Sequence, residues 1–361
     1  MRYLKELIKI KTIDNEEEAI KYLSTIFADK CEDIKIINDV NNKKNIIIGL
    51  NTKLRDIEPL VLSGHIDTVD ADMDKYLTNP YELVIKDNKA YGLGVIDMKC
   101  FVSSIIDLNE DIKNIGYPVV LALTTDEETT LKGVEAIIDR FKTDNIKPRF
   151  TIIGEPTSLK VNTISNGCFE YKVEVYGKSC HSSTPQNGIN AICIMARLIS
   201  FIEDLNRKYD DLVLNSNIVS GGTIINRIPD YAKMSFDIRT INMDNYNEAI
   251  GLISNKIKEL SNEYKTSIDL TKCLEIPPLN CSKSKLVTEI CNNLSIEIDS
   301  FSGGCEAGYY QNYSGDAILF GAGDLSVAHK PNEYLDIDDY YKYNDKLLSL
   351  LFEIKNKYYN E

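Results

Sequence analysis

The chain contains only three histidines, His65, His181 and His329. Two of them stand where metal chemistry would need them. His65 closes the apolar run PLVLSGH (59–65), and His329 follows shortly after AILFGAG (317–323). Asp67, two residues past His65, can reach the imidazole and fix its tautomer, the usual partner of a metal-bound histidine. Acidic residues occupy similar places. Asp97 ends the glycine-punctuated loop YGLGVID, Asp126, Glu127 and Glu128 follow PVVLALTT (118–125), and Glu155 follows RFTIIG (149–154).

Taken singly, each has a plain structural reading. A loop aspartate is commonly a helix cap, and a strand-end histidine is commonly a satisfied core residue. Three adjacent carboxylates repel one another unless a cation neutralises them or one holds a proton. Independent accidents would not place His65, Glu127, Glu128, Glu155 and His329 just past the ends of four different apolar runs. Imidazoles with carboxylates form a nitrogen/oxygen donor set suited to zinc, cobalt or manganese, and not to a thiolate or iron–sulfur site. The supply exceeds one tetrahedral site and suits two divalent ions sharing a carboxylate. Such a pair, ~3.5–4 Å apart, makes a water nucleophilic for hydrolysis. His181, in GKSCHSSTPQNG, reads first as a turn or capping residue, and otherwise as a donor to a developing oxyanion.

The elements that must hold these residues follow from hydrophobic period. NIIIGL (45–50), PLVLSGH, PVVLALTT and RFTIIG read as buried strands, with helical spacing over 98–113 and 131–142. This predicts an α/β unit around a mixed, largely parallel sheet flanked by helices, whose ligands gather at the strands' carboxyl ends. The middle third changes style. CFEYKVEVYG alternates, a helix spans about 187–208, strands lie near 213–223 and 231–240, and a helix and a strand near 266–275 follow. That order, β-α-β-β-α-β, is ferredoxin-like. The α/β pattern then resumes with a helix near 283–294, the strand 317–323 and a helix from about 338. The expected layout is a catalytic domain of 1–165 and 278–361 interrupted by an inserted domain of 166–277.

Bulk composition narrows the partners. Forty-one basic residues against 55 acidic leave a net charge of −14, which disfavours nucleic acid and anionic membrane. No segment approaches the ~18 apolar residues of a membrane span. The N-terminal stretch MRYLKELIKIKTIDNEEE lacks the apolar core of an export signal, and the nine cysteines form no C-x-x-C pair. A cytoplasmic protein with reduced thiols is the expectation.

SGHIDTVD, GLGVIDMK, TTDEET, GEPT, GKSCHSSTPQNGINAI and AHKPNEYL, in this order, resemble the dinuclear zinc aminoacylase/carboxypeptidase family, over nearly the whole chain. They look closest to its acetylornithine deacetylase and succinyl-diaminopimelate desuccinylase group, and nearer the former. The resemblance implies one ion on His65, Asp97 and Glu155 and another on Asp97, Glu128 and His329, with a cis peptide from Asp97 to Met98. It implies Glu127 as general base, and His181 as a carbonyl-polarising residue on a lid that forms a homodimer. Asn226 and Arg239 match positions that hold the substrate carboxylate, although a cross-strand ion pair of Arg239 with Asp237 competes. Glu306, in CEAGYY, is implied to line the pocket and to pair with a substrate ammonium. The implied reaction is hydrolysis of a small N-acyl amino acid, N-acetyl-L-ornithine to ornithine and acetate, a step of arginine biosynthesis. Succinyl-diaminopimelate or dipeptide cleavage, and a catalytically silent metal-binding protein, are the alternatives. Leu93, Cys100 and Gly308 stand where the family usually has arginine, glycine and proline, which leaves the substrate open.

Overall fold

In the computed structural model, which describes residues 1–13 and 16–359, the backbone divides into two compact units. One comprises Met1–Ser165 with Leu279–Glu361, and the other Asn166–Pro278.

Among the described residues, the larger unit is built on a nine-stranded sheet. Its centre is four parallel strands in the order Val119–Thr124, Leu60–His65, Phe150–Ile153, Ala317–Leu319. Each is buried along its whole length, which is why these stretches read as continuous apolar runs. Antiparallel strands extend both sides: Lys44–Gly49 and Asp33–Asn38 on one, Val161–Ser165 and Leu279–Asn280 on the other. Ile298–Phe301 adds to Val161–Ser165 in parallel. The closing helix Ile337–Tyr359 buries Tyr340, Tyr343, Leu347, Leu350, Leu351 and Ile354 in the core, at helical spacing.

The expected helix over 98–113 is broken in two, Cys100–Asp107 and Asn109–Lys113, and is preceded by the tight turn Val95–Lys99. The first of these helices is buried from Cys100 to Ile106. It can lie that close to the sheet because two strand ends carry glycine. A Cβ on Gly154 would stand 2.2 Å from Phe101 Cγ, and one on Gly64 would stand 2.3 Å from Met98 Cε. These glycines immediately precede Glu155 and His65. The same close approach therefore brings the Asp97 turn down onto both strand ends.

A three-stranded sheet of Val84–Lys86, Lys89–Tyr91 and Tyr334–Asp336 is too short to show a period in the sequence. It pairs the segment after His329 with the loop before Asp97.

The smaller unit has the four-stranded antiparallel order Leu212–Gly221, Tyr231–Thr240, Gly167–Tyr176, Ile268–Ile276. Helices Ala191–Asn206 and Met243–Tyr264 pack on the face that presents Phe169, Tyr171, Val173, Val175, Met234, Phe236 and Ile238. Chain order is β-α-β-β-α-β, the ferredoxin-like arrangement. The edge strand Leu212–Gly221 exposes Val213, Ile218 and Val219.

Replacing Gly154 by alanine should force Phe101 aside in a filled core and destabilise the protein by roughly 1–3 kcal/mol. Chemical denaturation reads this as a lower midpoint at unchanged slope. An unchanged midpoint would show that the helix does not depend on that close seat.

Candidate metal centre

Five chain segments converge beyond the carboxyl ends of the central strands. His65 is the last residue of its strand, and Glu155 lies two residues past Phe150–Ile153. Glu127 and Glu128 follow Val119–Thr124, and Asp97 sits in the turn Val95–Lys99. His329 comes two residues after the helical turn Leu325–Val327, with φ of +56°, a left-handed conformation that histidine tolerates better than most residues.

Asp97 is the centre of the arrangement. Its Oδ1 lies 2.9 Å from His65 Nε2, and its Oδ2 lies 3.2 Å from His329 Nε2. His329 Nε2 is also 2.8 Å from Glu128 Oε1. Donor atoms of His65, Asp97 and Glu155 lie within 4.8 Å of one another, as do those of Asp97, Glu128 and His329. The Asp97–Met98 peptide is cis. One carboxylate thus faces two separate triads, one oxygen to each.

The ring of His65 shows which atom is available. Its Nδ1 is 3.0 Å from the Asp67 carbonyl oxygen, so the proton of the neutral ring sits there and the Nε2 lone pair faces Asp97. A lone pair and a carboxylate oxygen aimed at one space suit a shared cation. Asp67 does more than orient this ring. Its Oδ1 and Oδ2 accept the backbone N–H groups of Glu127 and Glu128, at 3.3 and 3.1 Å, and so fix the acidic turn.

Charge in the centre is unevenly satisfied. Burial works against the Asp97 charge, but the hydrogen bonds with His329 and His65 hold its carboxyl well below the usual range. Those with Asp97 and Glu128 push His329 up to about 10. Burial lowers His65, yet Asp67 and Asp97 outweigh it and hold the ring well above its ordinary value. Glu155 and Glu127 are pushed well up, first by burial and then by neighbouring carboxylates, Asp97 for the one and Glu155 for the other. The negative groups outnumber the imidazoles that could balance them. Divalent cations held by these nitrogen and oxygen donors would relieve that excess. The residues fit two ions.

Two further carboxylates have partners of their own. Asp126 is turned away from the other two acids of its run, and its carboxylate accepts the N–H groups of Lys132 and Gly133, both at 2.7 Å. It caps the helix Lys132–Thr143. Glu306 does not stand free for a substrate ammonium. It is only 1% exposed, and its carboxylate accepts the hydroxyls of Ser63, at 2.8 Å, and of Thr124. Burial pushes it up to about 7 against those two bonds.

Within the smaller unit, His181 is exposed, and its Nδ1 accepts the Ser183 N–H at 3.2 Å. The neutral ring therefore carries its proton on Nε2, ready to donate. Asn226 is its neighbour, with Ser182 N–H donating to the Asn226 carbonyl at 3.0 Å. Arg239 donates to Asp237 at 2.9 Å, an ion pair two residues along the same strand and not across strands as expected.

Sequence reasoning passed over Glu333. It is 2% exposed and accepts the N–H groups of Gly94, Ile96 and Asp97 at 3.0, 2.8 and 3.3 Å. It lies within the AHKPNEYL motif, four places after His329, but the motif was read for its histidine alone.

The family model described as Peptidase family M20/M25/M40 matches residues 61–353. An acetylornithine deacetylase of Buchnera aphidicola subsp. Schizaphis graminum is 31% identical, over 93% of this chain and 93% of its own. Among solved structures, aminopeptidase PepT from Bacillus cereus superposes with a TM-score of 0.80 at 18% identity, covering 98% of this chain and 97% of that one. A dinuclear metal binding peptidase from Bacillus subtilis superposes at 0.72 with 14% identity, covering 98% and 97%.

Asp97→Ala should abolish tight binding of both ions, whereas Glu155→Gln should weaken one only. Equilibrium dialysis with elemental analysis counts them. Two tightly held ions in Asp97→Ala would refute the shared carboxylate.

Proposed function

The chain belongs to peptidase family M20/M25/M40, and from that premise we propose that this metal-dependent amidohydrolase deacylates N-acyl amino acids, with N-acetyl-L-ornithine as its substrate. The observation that carries the hydrolytic part is the Asp97 carboxylate, shared between the two triads, with Glu127 beside both. The substrate assignment is supported by the acetylornithine deacetylase relatives, at about the same identity over most of the chain.

In this reading His65, Asp97 and Glu155 hold one ion, and Asp97, Glu128 and His329 the other; zinc suits the donors, as do cobalt and manganese. When bound, the pair supplies Lewis acidity that activates water and polarises the acyl carbonyl. Glu127 takes the proton of the attacking water and hands it to the leaving amine. A group in this role must both accept and donate a proton, which a carboxyl beside both triads is placed to do. Asp67, holding the Glu127 and Glu128 amides, keeps base and ligand in register. His181 offers its Nε2–H to the developing oxyanion. Asn226 and Arg239 bind the substrate carboxylate, for which Arg239 exchanges Asp237.

The exposed apolar edge of the smaller unit, Val213, Ile218 and Val219 followed by Ile224 and Ile225, supports a homodimer formed through that unit. Nine unpaired cysteines are in keeping with a reducing cytoplasm. Among the described residues no helix is long and apolar enough to cross a membrane.

Acetyl-ornithine, succinyl-diaminopimelate, neutral acetyl amino acids and dipeptides, compared at equal concentration, test the substrate. The highest kcat/KM is expected for acetyl-ornithine; a dipeptide in first place would replace the deacylase with a peptidase. Turnover of nothing while two ions are bound would favour a silent binding protein. Glu127→Ala should lower kcat by about 10²–10⁴ with both ions retained. Wild-type turnover in that variant would sink the mechanism. Because Glu306 is buried, Glu306→Gln should leave the ratio of acetyl-ornithine to neutral acetyl amino acids unchanged, and a selective loss of acetyl-ornithine would restore its role in recognition.

A further inference from the structure

Glu333 is a buried carboxylate with an unusual set of partners. Its Oε1 accepts from Ile96 N and Asp97 N, and its Oε2 accepts from Gly94 N. The donors belong to the turn whose only acidic side chain is Asp97, or to Gly94 just before it. The turn also depends on Gly94 at φ +72°. Lys99, 2% exposed, donates to the Ile10 carbonyl at 2.9 Å; burial pulls it down to about 8, against the opposing pull of Glu333. A buried carboxyl is costly unless its oxygens are satisfied, and here three backbone N–H groups satisfy them, while burial still pushes Glu333 up to about 8.

The position of Glu333 is itself fixed from two sides. Its carbonyl accepts Gly92 N–H at 3.2 Å, and the next residues, Tyr334–Asp336, pair with Lys89–Tyr91. Upstream, only three residues separate it from His329. One short segment therefore presents a ligand to the second triad and clamps the backbone of the residue both triads share.

We propose that Glu333 is the positioning residue of the metal centre: it holds the Asp97 turn so that Oδ1 and Oδ2 face their separate triads before any ion arrives. The proposal rests on Asp97 serving both ions. It concerns how the ions are held and not which substrate is cut. Without the clamp, three N–H groups would seek water or new partners, and the Asp97 carboxylate would sample orientations in which only one triad is complete. Partners of this kind behind a ligand are commonly worth about 10- to 100-fold in metal affinity.

The test is Glu333→Gln, which keeps the shape but turns an N–H group toward one of the three donors. Titration of the metal-free protein with cobalt(II), followed by its visible absorption, reads affinity. Thermal melting of the same metal-free sample reads folding. The expected result is a loss of about 10-fold or more in affinity at both sites, with melting still cooperative. For the reconstituted enzyme, kcat should fall while KM is retained. Affinity within twofold of wild type would overturn the proposal, whatever happens to the melting temperature, because a purely structural residue would behave that way. If Glu333→Gln does not fold, Glu333→Asp keeps the carboxyl group but withdraws the oxygens by one methylene, and the same affinity loss is expected. Failure of both variants to fold would assign Glu333 to stability alone and overturn the proposal. A wild-type protein that binds two ions and cleaves no acyl amino acid would refute the deacylase reading and leave this one intact.

Discussion

Everything in the larger unit answers to one electrostatic constraint: carboxylates crowded at strand ends must be kept close together although they repel. Asp97 resolves part of it by giving one oxygen to the side of His65 and the other to the side of His329. The remainder calls for positive charge of higher valence than two imidazoles supply. That demand explains why the acids are not simply solvated, as an ordinary acidic turn would be. It also explains the opposite displacements within one cluster, with Asp97 pushed down and Glu127 and Glu155 pushed up.

Behind the two triads stands a second layer of carboxylates that takes no part in either. Asp67 receives the amides of Glu127 and Glu128, and Glu333 receives those of the Asp97 turn. Glu306 receives hydroxyls from Ser63 and Thr124, on the strands that lead to His65 and to the acidic turn. Each is buried, and each ties a ligand-bearing segment to another part of the unit. Burying a charged group gains little stability by itself. Its effect is on geometry, because a carboxylate fed by several fixed donors has few other places to go. Gly64 and Gly154 act by subtraction toward the same end, removing the methyl groups that would hold the Asp97 turn off the sheet.

The strands and the long helices were legible in the sequence because burial on both faces, or on one stripe, writes itself as apolar spacing. The four central strands and the order of the inserted unit are of this kind. So were the convergent acids and histidines, since strand ends in an α/β sheet are where side chains from distant segments meet. What the spacing does not encode is direction. Asp126, Glu127 and Glu128 are consecutive, yet the first turns back to cap a helix. Glu306 sits in a suggestive motif, but it faces inward to two hydroxyls that nothing in a linear reading joins to it. Glu333 was illegible for a related reason. Its partners are backbone amides more than 230 positions away, and backbone amides carry no residue-type signal.

The discontinuity of the larger unit has a consequence for the order in which the molecule can be made. Its first strands and the Asp97 turn leave the ribosome long before the segment that carries His329 and Glu333. The ferredoxin-like unit is contiguous, Asn166–Pro278, so it can complete its own sheet and core during that interval. The strands before it must wait for Ala317–Leu319 and for the clamp on the turn, contacts of long loop closure that form slowly. Until then neither triad is complete. Ions captured at that stage would meet only part of a ligand set, so a finished centre is a late event in the life of each chain.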